Sequence, residues 1–286
     1  MEIEDVDKML RKLMNVKKRA LRKLYYSRNP IEKELIKNNL RYKDIHKGER
    51  CFILGAGPSL KEQPIELLAD EYVLTTNGLS KYEKFPLLKS NYHIMIDADY
   101  FGEEIATPYV DTKNIMERLK TDNNSSTCFV PLYARKIIKQ MGIQEKIQIQ
   151  YMDLCLYVED KFKGDFDFAG PALAFHHVIN CAIALAIYMG FNEIYLLGCE
   201  ETVIVELISV LMGNYQNEHV FENPNHKLGG DGNMQTIMAG MARLLGYYSL
   251  MEEWCWKRNI KLYNCTPKTI VQSVPKKDLM DVLKTN

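Results

Sequence analysis

Short apolar runs that end in glycine, asparagine, aspartate or proline recur along the chain from about residue 50. Runs of this length with such ends are typical of buried strands. They predict strands at 51–54, 72–76, 92–96, 127–130, 146–151, 193–197 and 261–264. Helical spacing of apolar residues is best at 133–141, 172–189 and 235–258. The alternation predicts an α/β fold, a Rossmann-like, mostly parallel sheet with helices on both faces.

Residues 1–48 differ from the rest and are expected to form a basic helical arm. Between residues 8 and 28 there are nine Lys or Arg and no acid, with Leu10, Met14, Leu21 and Leu24 near helical spacing. Pro30 ends or kinks this helix, and a second charged helix is expected at 31–42. The arm is either a solvated basic helix packed on the domain or a helix lying on an anionic membrane surface.

Composition and charge exclude several classes of protein. The 286 residues are 47% hydrophobic and 26% charged, and the formal net charge is zero, so the global charge predicts no nucleic-acid partner. The seven cysteines are widely spaced and form no C-x-x-C pair, which argues against a disulfide framework or a zinc knuckle. The acidic N-terminus is not expected to act as a signal sequence, and no apolar run is long enough to predict a membrane-spanning helix. We expect a cytoplasmic protein, peripheral at the inner membrane face if the arm binds lipid.

The first candidate for chemistry is the turn that directly follows the first strand, Gly55-Ala56-Gly57-Pro58-Ser59-Leu60. Glycines there allow a sharp bend and a close approach of a ligand to the backbone. A helix after the turn would present free amides and a positive dipole end to a phosphate, and Ser59 would add a hydroxyl. Leu60 replaces the third glycine of a dinucleotide fingerprint, which favours a nucleotide or sugar nucleotide over NAD.

Polar residues also follow the second and third strands. Asn77 ends the second strand and offers groups for a ribose or phosphate, although a turn role explains it nearly as well. Asp97 and Asp99 follow the third strand and either hold Mg²⁺ against a diphosphate or cap a turn. The carboxyl ends of parallel strands face one ligand crevice, so these side chains are expected to lie near the glycine turn.

Further candidates lie later in the chain. Gly170 and Pro171 are predicted to begin the long apolar helix, with its N-terminus facing the same cleft. His176 and His177, one turn into that helix, are interpreted as ordinary core or surface residues. Thr266 follows the last strand and is a candidate cleft contact, with Tyr263 and Lys268 beside it.

The long connection after the sixth strand, residues 199–235, is predicted to form a lid. Glu200, at its start, is a candidate to orient a sugar or accept a proton, or it lies in a solvated loop. His226 is the first candidate for the catalytic base and His219 the second, because histidine titrates near neutrality. The alternative for both is a solvent-facing loop histidine.

Three segments together resemble a bacterial group. These are 51–60, with G-x-G-P-S-L, then 170–198, ending G-F-N-E-I-Y-L-L-G, and 259–267, N-I-K-L-Y-N-C-T-P. The group comprises the family 42 sialyltransferases, the motility accessory factor flagellin glycosyltransferases and the MptE-like pterin pyrophosphokinases. The resemblance covers roughly residues 50–275, in order.

In the sialyltransferases the glycine turn and an asparagine after the second strand contact the cytidine nucleotide, a lid histidine is the base, and no metal is required. The resemblance thus implies nucleotide contacts for Gly55, Gly57, Pro58, Ser59 and Asn77, and the base role for His226. Asp97 is more similar to the MptE-like members, which use Mg²⁺ and ATP. The sialyltransferases also carry lid tyrosines, for which only Tyr215 is a candidate.

These observations leave three functions open. The first is a glycosyltransferase in which residues 49–286 form the catalytic domain. It would transfer a sugar from a nucleotide-sugar donor, with a CMP-linked nonulosonate favoured, to a cell-surface glycan precursor or a protein hydroxyl. The second is a Mg²⁺-dependent pyrophosphokinase using ATP, and the third a non-enzymatic nucleotide-binding scaffold of a glycan assembly complex.

We expect a homo-oligomer, with Trp254 and Trp256 in the core or a subunit contact.

Overall fold

An eight-stranded parallel sheet forms the centre of the molecule. The computed structural model describes residues 3–101, 111–121, 124–158, 166–175, 177–202, 205 and 234–284. The strands are β1 (Arg50–Leu54), β2 (Tyr72–Thr76), β3 (Tyr92–Ile94), β4 (Lys120–Thr121), β5 (Asn124–Ser125), β6 (Thr127–Pro131), β7 (Gln148–Leu156), β8 (Pro171–Leu173), β9 (Glu193–Leu197) and β10 (Lys261–Asn264). The sheet order is β10-β9-β1-β2-β3-β6-β7-β8, and β4 and β5 form a separate antiparallel pair.

Helices cover both faces of this sheet. They are α1 (Ile3–Arg28), α2 (Pro30–Lys37), α3 (Thr112–Glu117), α4 (Arg135–Met141), α5 (Val178–Met189), α6 (Met234–Trp256) and α7 (Leu279–Leu283). Side chains alternate along β1: Cys51 and Ile53 pack in the core with α5 and α6, whereas Phe52 and Leu54 pack in the core with α3, α4 and α7. This alternation buries both faces of the strand, which explains why β1 is apolar throughout.

The predicted α/β fold is confirmed. The bounds of β2, β9 and β10 coincide with the predicted strands, and β1 begins one residue earlier than predicted. The apolar run from Val178 is a core helix in which every residue is buried. α6 lies within two residues of its predicted bounds, with Trp254 buried and Trp256 exposed.

The prediction of a helix after the glycine turn is wrong. The segment between β1 and β2 contains two single 3-10 turns, Pro58–Lys61 and Ile65–Leu68. Proline at position 64 explains the difference, because the residue before a proline is disfavoured in the α-helical region and a helix that begins at Pro58 cannot continue through Gln63. The glycine turn therefore lacks the aligned peptide dipoles of an α-helix.

The predicted start of the long apolar helix is also wrong. Pro171–Leu173 forms the edge strand β8, and α5 begins only at Val178, so neither Gly170 nor Pro171 begins a helix. An edge strand accommodates proline because the missing N–H faces no partner strand. Two strand ends differ as well: β3 stops at Ile94, and β7 runs on to Leu156.

The arm packs on the domain through residues of the core. α1 ends at Arg28, just before Pro30, as predicted, and α2 is followed by the 3-10 turn Asn38–Tyr42. Tyr26, Ile36 and Tyr42 are buried in the two core clusters. All seven cysteines are unpaired, and six are buried, where a free cysteine packs as a small apolar side chain. None of the helices in the described ranges has the length and hydropathy needed to cross a membrane.

Candidate functional site

The order of the strands creates one crevice at the carboxyl edge of the sheet. From β1 the chain moves outward through β2, β3, β6 and β7 to β8, and it then returns to place β9 on the other side of β1. The connections that leave β1 and β9 therefore diverge to opposite sides. In open α/β sheets such a switch point is where ligands bind.

The glycine turn closes against the end of β9. The Gly55 N–H donates to the Leu197 carbonyl (2.8 Å), and the Gly57 N–H donates to the Gly198 carbonyl (3.0 Å). A Cβ on Gly55 would lie 2.4 Å from the Gly198 oxygen, closer than side-chain carbons approach. Glycine at position 55 is thus required by the contact between two loops of the protein itself.

The carboxylate of Glu200 occupies the position predicted for a phosphate. Its Oε1 accepts a hydrogen bond from the Ser59 N–H (2.7 Å), and a Cβ on Gly57 would lie 1.4 Å from its Oε2. Glu200 is only 5% exposed, so it does not lie in a solvated loop. Ala56 and Pro58 of the same turn are half-buried. The group that the turn binds is therefore the Glu200 carboxylate of the protein itself, where a phosphate was predicted.

Asn77 lies at the end of β2 in a backbone conformation that few residues adopt. Its φ is +46°, in the left-handed region where asparagine is among the better tolerated side chains. Its carbonyl accepts a hydrogen bond from Nε2 of His93 (2.8 Å), and the His93 Nδ1 lies 2.8 Å from the Thr75 hydroxyl. The hydrogen bond from His93 therefore fixes the backbone of Asn77.

Sequence reasoning missed His93, which lies inside a strand. Burial lowers the pKa of His93 from its ordinary value of 6.5 to about 3, so the ring is neutral at physiological pH. Since the Asn77 carbonyl can only accept, the proton of the neutral ring is on Nε2, and Nδ1 accepts from Thr75. A histidine within an otherwise apolar strand is the signal in the sequence that could have revealed this network.

Several buried polar atoms around the crevice have no hydrogen-bond partner within the described residues. They are Ser59 Oγ, Asn77 Oδ1, Glu200 Oε2 and His177 Nδ1. Buried polar atoms are nearly always paired in folded proteins. Four such atoms on segments that meet at one edge indicate a place where a polar ligand completes the hydrogen bonding.

His177, which sequence reasoning set aside, lies at the amino end of α5. It is the N-cap residue, and its side chain does not cap the first-turn amides. Its Nε2 lies 3.4 Å from Oε1 of Glu201, which also accepts from the Tyr248 hydroxyl (2.5 Å). The prediction that His177 lies inside the helix is wrong, because β8 delays the helix start. Through its contact with Glu201, His177 instead links the amino end of α5 to the loop that follows β9.

Asp97 caps its own turn. Its Oδ1 accepts from the Asp99 N–H (3.2 Å), and both residues are exposed. Although the residue as a whole is exposed, protein atoms around the carboxyl group reduce its hydration, which raises the pKa of Asp97, and the hydrogen bond from the Asp99 N–H lowers it by less. Across the described ranges, no three His, Cys, Asp or Glu side chains are grouped so as to hold a metal ion.

Thr266 and the pair Gly170–Pro171 differ in their relation to the crevice. Thr266 is buried beside it, and its hydroxyl accepts from the Cys199 N–H (3.0 Å), which fixes the loop that carries Glu200. Gly170 and Pro171 are at the edge strand, five positions from β1, or roughly 24 Å at ordinary strand spacing. The structure does not bring them to the glycine turn.

Part of the predicted site lies outside the described residues. This holds for His226 and His219, for Tyr215 and His176, and for most of the predicted lid at 199–235. Their roles stay predictions.

Comparisons with known proteins give no identification. The chain matches no family model, and no curated protein is similar to it at a significant level. The function is therefore inferred from the geometry of the crevice.

Proposed function

We propose that the protein is a nucleotide-sugar-dependent glycosyltransferase similar to the family 42 sialyltransferases. The observation that carries the proposal is the group of unpartnered buried atoms on Ser59, Asn77 and Glu200 at the switch point of a parallel sheet. Polar groups at this position are typical of nucleotide sites in doubly wound folds.

The chemistry of these atoms favours recognition of the nucleoside. Asn77 Oδ1 and Glu200 Oε2 are acceptors, and the Ser59 hydroxyl can donate or accept. Hydroxyls of a ribose and amino groups of a base are donors, so they match this set. A phosphate carries only acceptors at neutral pH and would be repelled by Glu200 in its present position.

The amino end of α5 is the better place for the donor phosphate. The first-turn amides lack a side-chain cap, and His177 lies beside them. Uncapped amides and the helix dipole favour an anion, and they would stabilise the charge that develops on a leaving nucleotide. The acceptor hydroxyl would then be deprotonated by a base, for which His226 remains the candidate.

A nucleotide panel tests the proposal. Thermal shift and isothermal titration with CMP, UDP, GDP and ATP, each with and without Mg²⁺, are expected to show binding of a pyrimidine nucleotide without a metal requirement. Turnover of the corresponding nucleotide sugar, followed by release of the free nucleotide, would identify the donor. If none of the four nucleotides binds, the proposal is wrong.

A Mg²⁺-dependent pyrophosphokinase is the second candidate, and Asp97 is the observation in its favour. This carboxylate is exposed at the end of β3, where a cation and the phosphates of ATP could share its oxygens. The candidate predicts that Asp97→Ala and EDTA each abolish activity. Retained activity in both experiments would exclude it.

Glu200 also favours a non-enzymatic scaffold, because a turn filled by the protein's own carboxylate has a structural role without any ligand. A scaffold predicts full biological function for a variant carrying both His226→Ala and Asn77→Ala. Loss of function in this variant, with the fold retained, would exclude it.

A further inference from the structure

The helix α1 contacts the domain through its polar side. The Asn15 side chain donates to the Tyr157 carbonyl (3.0 Å) and accepts from the Tyr157 N–H (2.8 Å), as a neighbouring strand would. Lys18 Nζ donates to the carbonyl of Cys155 (2.7 Å). Polar groups of α1 thus satisfy the backbone just where β7 ends.

A buried acid strengthens this attachment. Asp153 is 1% exposed and accepts from Arg22 (2.6 Å) and from the Tyr26 hydroxyl (2.5 Å). Both partners belong to α1, so the pairing of this buried carboxylate depends on the helix being attached in this orientation. The orientation of α1 about its axis is therefore fixed.

The opposite side of α1 is apolar and exposed. The side chains of Leu10, Leu13, Met14, Leu21 and Leu24 are between 41% and 59% exposed. At 3.6 residues per turn they fall within an arc of about 100°. The residues that contact the domain, Asn15, Lys18, Arg22 and Tyr26, form a second set whose centre lies about 130° from the centre of this arc. An amphipathic helix normally buries its apolar face, and α1 does the reverse.

The charge of α1 selects the partner for this face. The segment between residues 8 and 28 has nine basic residues and no acid. A second copy of the helix would bring two sets of positive charges together with no acid on either segment to compensate them. Lys17 lies within the apolar arc. Met9 and Val16, which are 48% and 68% exposed, continue the apolar surface from Leu13 toward Lys12 and Lys23. Lysines within and at the margin of an exposed apolar surface suit an anionic lipid surface.

A recess beside the helix has the same character. It has a volume of about 410 Å³ between α1, the end of β7 and α6. Leu10 and Met14 contribute apolar wall, and Arg11, Lys18 and Arg243 contribute basic groups. Apolar walls next to several cations match the boundary between an acyl chain and an anionic headgroup.

We propose that α1 is a membrane-binding element that lies on an anionic bilayer, with Leu10, Leu13, Met14, Leu21 and Leu24 inserted below the headgroups. The proposal does not depend on the nucleotide site. It assigns to the outward face of α1 a partner that is both apolar and negatively charged, as the surface of an anionic bilayer is.

Vesicle binding by the full chain tests this proposal. The probes are phosphatidylcholine vesicles with and without phosphatidylglycerol, and bound protein is measured by flotation. We expect binding only to the vesicles with phosphatidylglycerol, decreasing as salt is added. Leu13→Glu with Leu24→Glu should reduce the bound fraction at least about tenfold, since both leucines would leave the lipid.

The matched control is Ile31→Glu with Leu67→Glu, which replaces two equally exposed apolar residues outside the arc and should bind as the unmodified chain does. Lys12→Gln with Lys17→Gln and Lys23→Gln is a second variant that keeps the apolar face and should also bind weakly. Equal binding to both kinds of vesicle by all variants would overturn the proposal. Absence of binding to either kind of vesicle would also overturn the proposal. One such case is a chain that binds no vesicle and forms a dimer, which Leu13→Glu with Leu24→Glu converts to a monomer; the apolar face would then be a subunit contact.

Discussion

At the scale of single residues, the glycine turn is defined by the carboxylate that fills it. Gly57 leaves the space that Glu200 Oε2 takes, and the Ser59 N–H binds the other oxygen. A side chain at position 57 would compete directly with this carboxylate. The residues of the G-x-G-P-S-L motif therefore act together with an acid 141 positions away in the chain.

Gly57→Ala tests this packing. We expect the free energy of unfolding to fall by about 1–3 kcal/mol, because the new methyl group overlaps with Glu200. The matched control is Gly246→Ala, where no atom lies within 4 Å of the added Cβ. This glycine is inside α6, so alanine should raise the free energy of unfolding by about 0.5–1 kcal/mol. Urea denaturation measures both, and equal effects would contradict the assignment.

His93 predicts a pH dependence of stability. Its pKa is about 3 in the folded chain against an ordinary 6.5, so between these values the unfolded chain binds the additional proton. The contribution of the neutral ring to the free energy of unfolding is therefore fully present above pH 6.5. It is lost as the pH falls toward 3, with a slope approaching about 1.4 kcal/mol per pH unit.

The measurement is urea denaturation between pH 7 and pH 4 of the unmodified chain and of His93→Gln. The variant should show a shallower decline, since glutamine does not titrate. Identical slopes would show that His93 is accessible to protons in the folded state.

At the scale of elements, the sequence predicts strands better than the turns and helices that connect them. β2, β9 and β10 were predictable because each combines a short apolar run with a clear stop. β8 was not, since a three-residue strand beginning with proline has the same pattern as the first turn of a helix. The approach of Glu200 to Ser59 was not predictable either, because it joins distant positions through the sheet order.

The first turn of α5 provides a test at this scale. Asn180 is fully buried, and neither polar atom of its side chain has a hydrogen-bond partner among the described residues. Asn180→Leu should raise the free energy of unfolding by about 1–2 kcal/mol. A gain in stability together with weaker nucleotide binding would indicate that Asn180 serves the ligand.

Asn39 is the matched control for this substitution. It is equally buried, but its amide donates to the carbonyls of Tyr151 (2.7 Å) and Phe168 (2.8 Å). Asn39→Leu should lower the free energy of unfolding by about 1–3 kcal/mol, because it leaves two carbonyls unpaired. If both variants lose stability equally, Asn180 has a partner in the folded chain.

At the scale of the whole molecule, the crevice and the attachment point of α1 lie at the same edge of the sheet, the one formed by the carboxyl ends of the strands. β7 continues past the end of β6 at Pro131, and α1 attaches to the extension, at Asp153, Cys155 and Tyr157. The candidate nucleotide site opens at the carboxyl ends of β1, β2 and β9. β7 is four positions from β1 in the sheet, so α1 is attached roughly 19 Å from the crevice along this edge.

The central claim is that the crevice between β1 and β9 binds a nucleotide through Asn77. Asn77→Gly removes the side-chain amide, and glycine tolerates the φ of +46° at this position. The matched control is Asn259→Gly, which makes the same change at a φ of +55° just before β10, at the opposite edge of the sheet. Isothermal titration with the nucleotide that binds the unmodified chain most tightly should show affinity reduced about tenfold or more for Asn77→Gly. Asn259→Gly should bind unchanged, and equal affinity of the two variants would contradict the account.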